Sequence, residues 1–371
     1  MAETSEVVIV GGGAAGCSVA YYLALAGVKA TIVEREGVAT HASGISVGGL
    51  NPLQGAGIPG PLGPLALESH RMHLDIWDTL KEETGIDCDG RVISLLKVAF
   101  GEDELIDLNQ TEEIFTPVEG FEARSLDSKE VSDLEPRIGN GVIRGLYTRG
   151  NAVVDSYKYT IALLQAAENQ GANLRSGSVH GLELAGRQVT GVILGEERIS
   201  CDQVVLAMGS WARLAEPWLN AYIPIDPLKG ELLRFDHPGP PLAHYISGAG
   251  GSLHPKPDGL VWSGTTEEWR GFDNETTDSA RKSILQKAIK LVPDMAQARL
   301  VLHTACLRPM APDGFPIIGR VPGWDNVYVT NGGGRKGILL STGMGKAVSD
   351  LMTQGKTQLD VGSFSPARFV Q

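Results

Sequence analysis

The sequence predicts an α/β chain (α+β overall) in which a parallel-sheet domain is discontinuous and an antiparallel-sheet domain is interleaved with it. Three observations carry this. A complete βαβ pattern occupies residues 7–34, strand–turn–helix segments return at 203–212 and 327–354, and strand-like stretches with turn signals lie between them. A chain of 371 residues also exceeds the usual ceiling for one core, so two domains are expected. The pattern puts residues 1–85, 150–220 and 306–371 in the first domain and 86–149 and 221–305 in the second.

The first unit reads Val7-Val8-Ile9-Val10-Gly11-Gly12-Gly13-Ala14-Ala15-Gly16, an apolar strand entering a glycine turn and a small-residue helix. Gly11 allows the tight turn, Gly13 lets backbone approach a pyrophosphate, and Gly16 lets helix and strand pack closely. Amides at the helix start, at Ala14 and Ala15, suit an anionic diphosphate. Glu34 closes the second apolar run 18 residues after Gly16, near the roughly 20 expected for the acid that grips ribose hydroxyls. These residues indicate a dinucleotide and leave FAD and NAD both open. The acid at Glu34 argues against the 2′-phosphate of NADP.

Residues 37–65 form a long glycine- and proline-rich segment, whose first part is read as ligand-wrapping because it follows Glu34. Leu65 to Thr84 is expected to be helical, with Leu67, Met72, Leu74, Ile76, Trp77 and Leu80 on the apolar face. A short helix is expected from Ser128. Asp155 caps a helix that Gly171 ends. Val179–Leu184 and Val189–Leu194 read as a small meander before the buried strand Gln203–Ala207, which leads through Gly209, Ser210 and Trp211 into a helix. Glu231–Phe235 and Leu260–Thr265 are strand candidates, and residues 277–292 a helix stopped by Pro293. Val327–Thr330, a turn at Asn331-Gly332-Gly333-Gly334 and a helix at Gly337–Gln354 complete the chain.

Composition narrows the function classes. Charged residues make up 20% and hydrophobic ones 42%, as in an ordinary soluble globular protein. A net charge of −12 argues against nucleic acid as a partner. No apolar run is long enough for a membrane span, and the acidic start lacks the basic region of a secretory signal. Cys17, Cys88, Cys201 and Cys306 are scattered, which fits neither a disulfide framework nor a metal site and suggests a cytoplasmic setting.

Several blocks together resemble the D-amino-acid oxidase and glycine oxidase superfamily of FAD-dependent oxidoreductases, nearly end to end. They are Val7–Glu34, the loop from Ala42 and Ser43 to Gly48 and Gly49, the turn Val204–Ala212, and Gly264-Thr265-Thr266-Glu267. Leu307-Arg308-Pro309-Met310-Ala311-Pro312-Asp313-Gly314-Phe315-Pro316-Ile317-Ile318-Gly319, Gly334-Arg335-Lys336-Gly337-Ile338-Leu339-Leu340 and the ending Phe364–Phe369 complete the match. The resemblance implies a Rossmann-type FAD-binding domain beside an antiparallel-sheet substrate domain, and oxidation at a carbon bearing an amine. FAD contacts are carried to Gly11, Gly13, Ala14, Ala15, Gly16, Glu34 and Arg35. They extend to Ala42, Ser43, Gly48, Gly49, Val179, Ala207, Gly209 and Trp211, and then to Arg308, Gly333, Gly334, Arg335, Lys336, Gly337 and Ile338.

The chemistry suits these residues. Hydride passes from the substrate α-carbon to flavin N5, so placing that C–H is a positioning task. Arg308 matches the arginine that grips the substrate carboxylate by two parallel bonds, and Arg335 a second active-site arginine. Amides at the start of the last helix suit negative charge on the flavin pyrimidine edge. The imine product hydrolyses, and O2 is expected to reoxidise the flavin to give H2O2.

Two departures limit the carry-over. Ser252 stands where glycine oxidases place a carboxylate-binding tyrosine, with His254 and Tyr245 as substitutes or as packing residues. Cys306 stands two residues before Arg308, at the position of the flavin-linked cysteine of monomeric sarcosine oxidases. It is read as a buried inert thiol with non-covalent FAD, and covalent attachment is the alternative. His41 is read as a loop histidine bonded to backbone or phosphate and His303 as structural.

An FAD-dependent amine or amino-acid oxidase therefore leads. A dehydrogenase passing electrons to a quinone or carrier, a 2-hydroxy-acid oxidoreductase, and a flavin-binding subunit without turnover are the other readings. The two arginines count against the last. The substrate's identity and stereochemistry and the oligomeric state stay open.

Overall fold

The structure is a computed structural model and describes residues 3–370. The chain divides into two compact units. The first comprises the chain up to Gly90, Val154–Leu228 and the chain from Leu307; the second comprises Arg91–Val153 and Lys229–Cys306.

In the first unit the sheet runs Ile317–Arg320, Val327–Asn331, Glu197–Leu206, Glu3–Val10, Ala30–Glu34, Asn173–Ser176. The last five of these strands pair in parallel. Such a sheet is covered on both faces, which explains why Val7–Val10 and Ala30–Val33 are continuously apolar or small and buried. One face carries the helices Ala14–Leu25, Ser156–Asn169 and Gly337–Gln354, which pack on one another. The other closes a core of Val8, Val10, Val33, Val192, Val204 and Leu206. The expected strand at Gln203–Ala207 is longer, Glu197–Leu206, because its first half pairs with the meander strand Gln188–Leu194.

Helix ends follow the local chemistry. Asp155 accepts from Lys158 N at 2.9 Å at the start of Ser156–Asn169, and Gly355 ends Gly337–Gln354 in the left-handed region. In the second unit, Asp127 and Glu130 form a reciprocal capping box on Ser128–Leu134. Helix Gly63–Thr84 forms as expected and buries Met72 and Leu80 of the expected face, but the rest of that face shifts. Leu67 and Leu74 are exposed, while Ser69, His70 and His73 are buried. The reason is its neighbour: a Cβ on Gly343 of the last helix would lie 2.4 Å from Ser69 Oγ and 2.8 Å from Leu65.

The second unit is built on an antiparallel-rich sheet running Arg299–Met310, Asp226–Asp236, Leu260–Gly264, Gly251–Pro255, Tyr245–Gly248, Arg91–Ala99, Arg144–Val153. One face, with Leu96, Leu233, Phe235, Ile246, Leu253 and Val261, packs on Ile284, Ala288 and Leu291 of helix Asp278–Leu291. Thr277 caps that helix by accepting from Ala280 N. The other face of the same strands carries Arg234, Trp262, His254 and Tyr245 in one row.

Candidate active site

The glycine turn is built in two ways. Gly11 lies at φ +111°, and a Cβ on it would sit 2.4 Å from Ala207 O; one on Gly16 would sit 2.0 Å from Gly11 O. These two glycines close strand, turn and helix on one another. At Gly13 the crowding comes from a side chain instead, Ser43 Oγ lying 3.2 Å from where a Cβ would be. Gly13 is the N-cap of Ala14–Leu25. It has no side chain to cap this helix, and the first turn holds no acid. Ala14 N–H donates to Ser43 Oγ at 2.9 Å. The positive end of a twelve-residue helix is thereby kept for an anion.

Glu34 ends its strand with both carboxylate oxygens anchored, Oε2 accepting from Gly12 N at 2.7 Å and Oε1 from Glu36 N at 3.0 Å. Each oxygen retains a lone pair for a sugar hydroxyl. Beside it, the Arg35 guanidinium lies 4.1 Å over the Trp211 ring, and the His41 ring packs 4.6 Å from the same indole. His41 Nε2 lies 3.1 Å from Glu36 Oε2. The ring thus lies between a carboxylate and an indole. Gly48 backs onto Val154, accepting from Val154 N at 3.1 Å. A Cβ on Gly48 would fall 1.9 Å from Val154 O. Val179 is buried among Val10 and Val33, which leaves any nucleotide contact to its backbone.

The turn after Leu206 gathers the two C-terminal blocks. Ser210 Oγ donates to Leu307 O at 2.9 Å, and Asn331 Nδ2 donates to Gly209 O at 3.0 Å. A Cβ on Gly334 would lie 2.6 Å from Met310 Sδ, so the glycine turn lies on the segment that follows Arg308. Arg308 is half-buried; Arg335 is exposed in the short 3-10 turn Gly334–Lys336 that opens the last helix. The ending returns to the same block: Arg368 Nε donates to Asp313 Oδ2 at 2.7 Å and Nη2 to Oδ1 at 3.2 Å. Ser210 and Asn331 had no sequence signal beyond their place in small-residue turns, because their role is to reach segments about a hundred residues away.

The family described as FAD dependent oxidoreductase matches residues 6–351. The chain belongs to the D-amino-acid oxidase and glycine oxidase superfamily of FAD-dependent oxidoreductases. A glycine oxidase of Pseudomonas aeruginosa is 30% identical over 98% of this chain and 99% of its own length. The crystal structure of glycine oxidase from Geobacillus kaustophilus matches with a TM-score of 0.93 at 28% identity, covering 100% of both chains. That of Bacillus cereus glycine oxidase gives 0.90 at 28%, covering 99% of this chain and 100% of the other. This flavoenzyme is an FAD-dependent oxidoreductase acting on an amine or amino acid. The start of the helix Ala14–Leu25, which holds no acid, and the anchored Glu34 fit its FAD.

The remaining residues of the flavoenzyme qualify the expectations. In the second unit Ser252 Oγ donates to Gly264 O at 2.8 Å and lies 2.8 Å from His254 Nε2. Burial lowers the His254 pKa to about 3, so the imidazole is neutral. Its ring packs 5.4 Å from Tyr245, whose hydroxyl accepts from Arg91 at 3.3 Å. His303 Nε2 lies 2.8 Å from the fully buried Glu231, which also accepts from Thr277 N and Oγ1. Cys306 is partly exposed, in contrast to the buried state expected, while Cys17, Cys88 and Cys201 are buried. The Lys336 ammonium donates to Asn51 O and Gln54 O. Among the described residues no group of acids, histidines or cysteines forms a metal site, and no helix is long and apolar enough to cross a membrane.

Proposed function

We propose that this flavoenzyme oxidises the carbon–nitrogen bond of a small amino acid or amine that carries a carboxylate. The observation that carries the reading is the Ser210–Leu307 anchor together with the Gly334–Met310 packing, which brings the turn bearing Arg335 against the segment that follows Arg308. Bound FAD supplies a hydride acceptor at its N5 atom for the hydrogen on the substrate α-carbon.

The protein's part is positioning. Arg308 holds the carboxylate by two parallel charge-assisted bonds, which fixes the α-carbon in one orientation. Arg335 adds positive charge at the mouth of the last helix, whose N-terminal amides favour a nearby anion. Gly333 and Gly334 keep side chains away from that helix start. The substrate amine arrives neutral, so no protein base is assigned to it, and the imine product hydrolyses to an oxo acid with release of ammonia or an amine. Dioxygen is the proposed final acceptor, giving hydrogen peroxide.

Anaerobic titration of the yellow protein with amino, N-methylamino and hydroxy acids tests the reading. Bleaching by an amine-bearing acid and recovery of colour in air, with peroxide formed, are expected. Response to hydroxy acids alone would overturn the substrate class, and persistence of the bleached state in air would overturn the acceptor.

A further inference from the structure

The Lys336 ammonium is desolvated, with no carboxylate offsetting its charge. Burial is the sole cause that lowers its pKa, to about 8. Its partners are two peptide carbonyls, Asn51 O at 2.9 Å and Gln54 O. The side chain reaches them past Gly55, where a Cβ would lie 2.6 Å from Lys336 Cε and 2.8 Å from Nζ. Gly55 lies at φ +122° and its carbonyl accepts from Ile58 N at 2.9 Å, so the turn is shaped around the ammonium. Asn51 Oδ1 accepts from Leu53 N and Gln54 N at 3.0 and 3.1 Å, holding the two carbonyls in place.

A buried cation is costly, and a sequence that retains one without an ion pair retains it for a task. We propose that Lys336 is a positioning residue: its charged ammonium clasps the turn 51–55 to the start of the last helix, so that the FAD-contacting segments on either side are held as one piece. Gly48 and Gly49 precede the clasped turn, and Arg335 and Gly337 flank the lysine. The groups facing the ammonium are the carbonyls of Asn51 and Gln54 and the backbone of Gly55, none of which titrates; Arg335 is the charged neighbour along the chain. An ammonium bonds carbonyl dipoles more strongly than the neutral amine does, so loosening with rising pH follows from the lysine itself.

The test uses the holoenzyme and needs no substrate, so its outcome is independent of the proposed reaction. Hydrogen exchange of residues 49–58 and the FAD dissociation constant are measured for wild type, Lys336→Met, Lys336→Gln and Gly55→Ala. In Lys336→Met, exchange at 49–58 is expected to rise about tenfold and FAD to bind about tenfold more weakly. Wild-type FAD affinity is expected to fall as pH rises through about 8, and to be flat there in both Lys336 variants. Lys336→Gln, which keeps an uncharged donor, is expected to regain part of the protection without the pH dependence. Gly55→Ala crowds the ammonium and is expected to reproduce Lys336→Met. Unchanged exchange in Lys336→Met, or a pH dependence that survives in it, overturns the proposal.

Discussion

Ser210 donates its hydroxyl to the carbonyl of Leu307 at 2.9 Å, and Leu307 is the residue before Arg308. A turn at the end of one Rossmann-type strand thus supports the arginine block almost a hundred residues later. The bond is buried, so removing the donor leaves Leu307 O unpaired, at a cost of about 1–3 kcal/mol. Ser210→Ala is expected to lower stability by that amount in denaturant titration and to raise KM for the carboxylate substrate a few-fold, with FAD still bound. Unchanged stability and KM would remove Ser210 from the support of Arg308.

Arg308→Lys separates charge from geometry. Lysine keeps the positive charge but cannot make two parallel bonds to a carboxylate. A loss of about 2–4 kcal/mol of binding corresponds to roughly 30- to 1000-fold in kcat/KM. The flavin spectrum is expected to stay near wild type, and an uncharged amine substrate, if turned over, to lose far less. Equal loss on both substrates would argue against carboxylate recognition.

Glu34 receives two backbone amides in addition to its expected ribose hydroxyls. Glu34→Ala leaves Gly12 N and Glu36 N without their acceptor. Apoprotein of this variant, titrated with FAD and followed by flavin fluorescence, is expected to bind at least tenfold more weakly. Binding within twofold of wild type would place the ribose elsewhere.

Cys306 is partly exposed and its block is otherwise glycine oxidase-like. Acid-precipitated, washed protein is expected to be colourless, with all the flavin in the supernatant. Yellow colour retained by the wild-type pellet and lost in Cys306→Ser would instead establish the covalent link.

His73 sets a pH dependence of stability. Its Nε2–H donates to Ile338 O at 2.9 Å, and burial lowers its pKa to about 4. The unfolded chain takes up a proton near pH 6.5 that the folded chain refuses until about 4. Stability therefore falls as pH drops through that window, by about 1.4 kcal/mol per unit at most. His254 acts in the same direction, with its pKa at about 3. Thermal melts of wild type and His73→Gln from pH 7 to 5 are expected to converge as pH falls, and parallel curves would contradict the assignment.

The sequence by itself determined the elements whose signals are local. The glycine turn at Gly11–Gly16, the acid at Glu34, the cap Asp155 and the last helix at Gly337–Gln354 all carry signals that lie within a few residues or within one βαβ unit. The arginine blocks were legible through resemblance. Only the tertiary structure decided which polar residues of Gly63–Thr84 are buried, because Gly343 of a helix near the far end of the chain admits Ser69 and Ile338 O of the same helix receives His73. It likewise decided the support of Arg308 by Ser210, the packing of His41 on Trp211, and the burial of the Lys336 ammonium against Asn51 and Gln54. Each of these joins side chain to backbone or ring across chain separations that no spacing rule encodes, and each depends on where the parallel sheet delivers its turns.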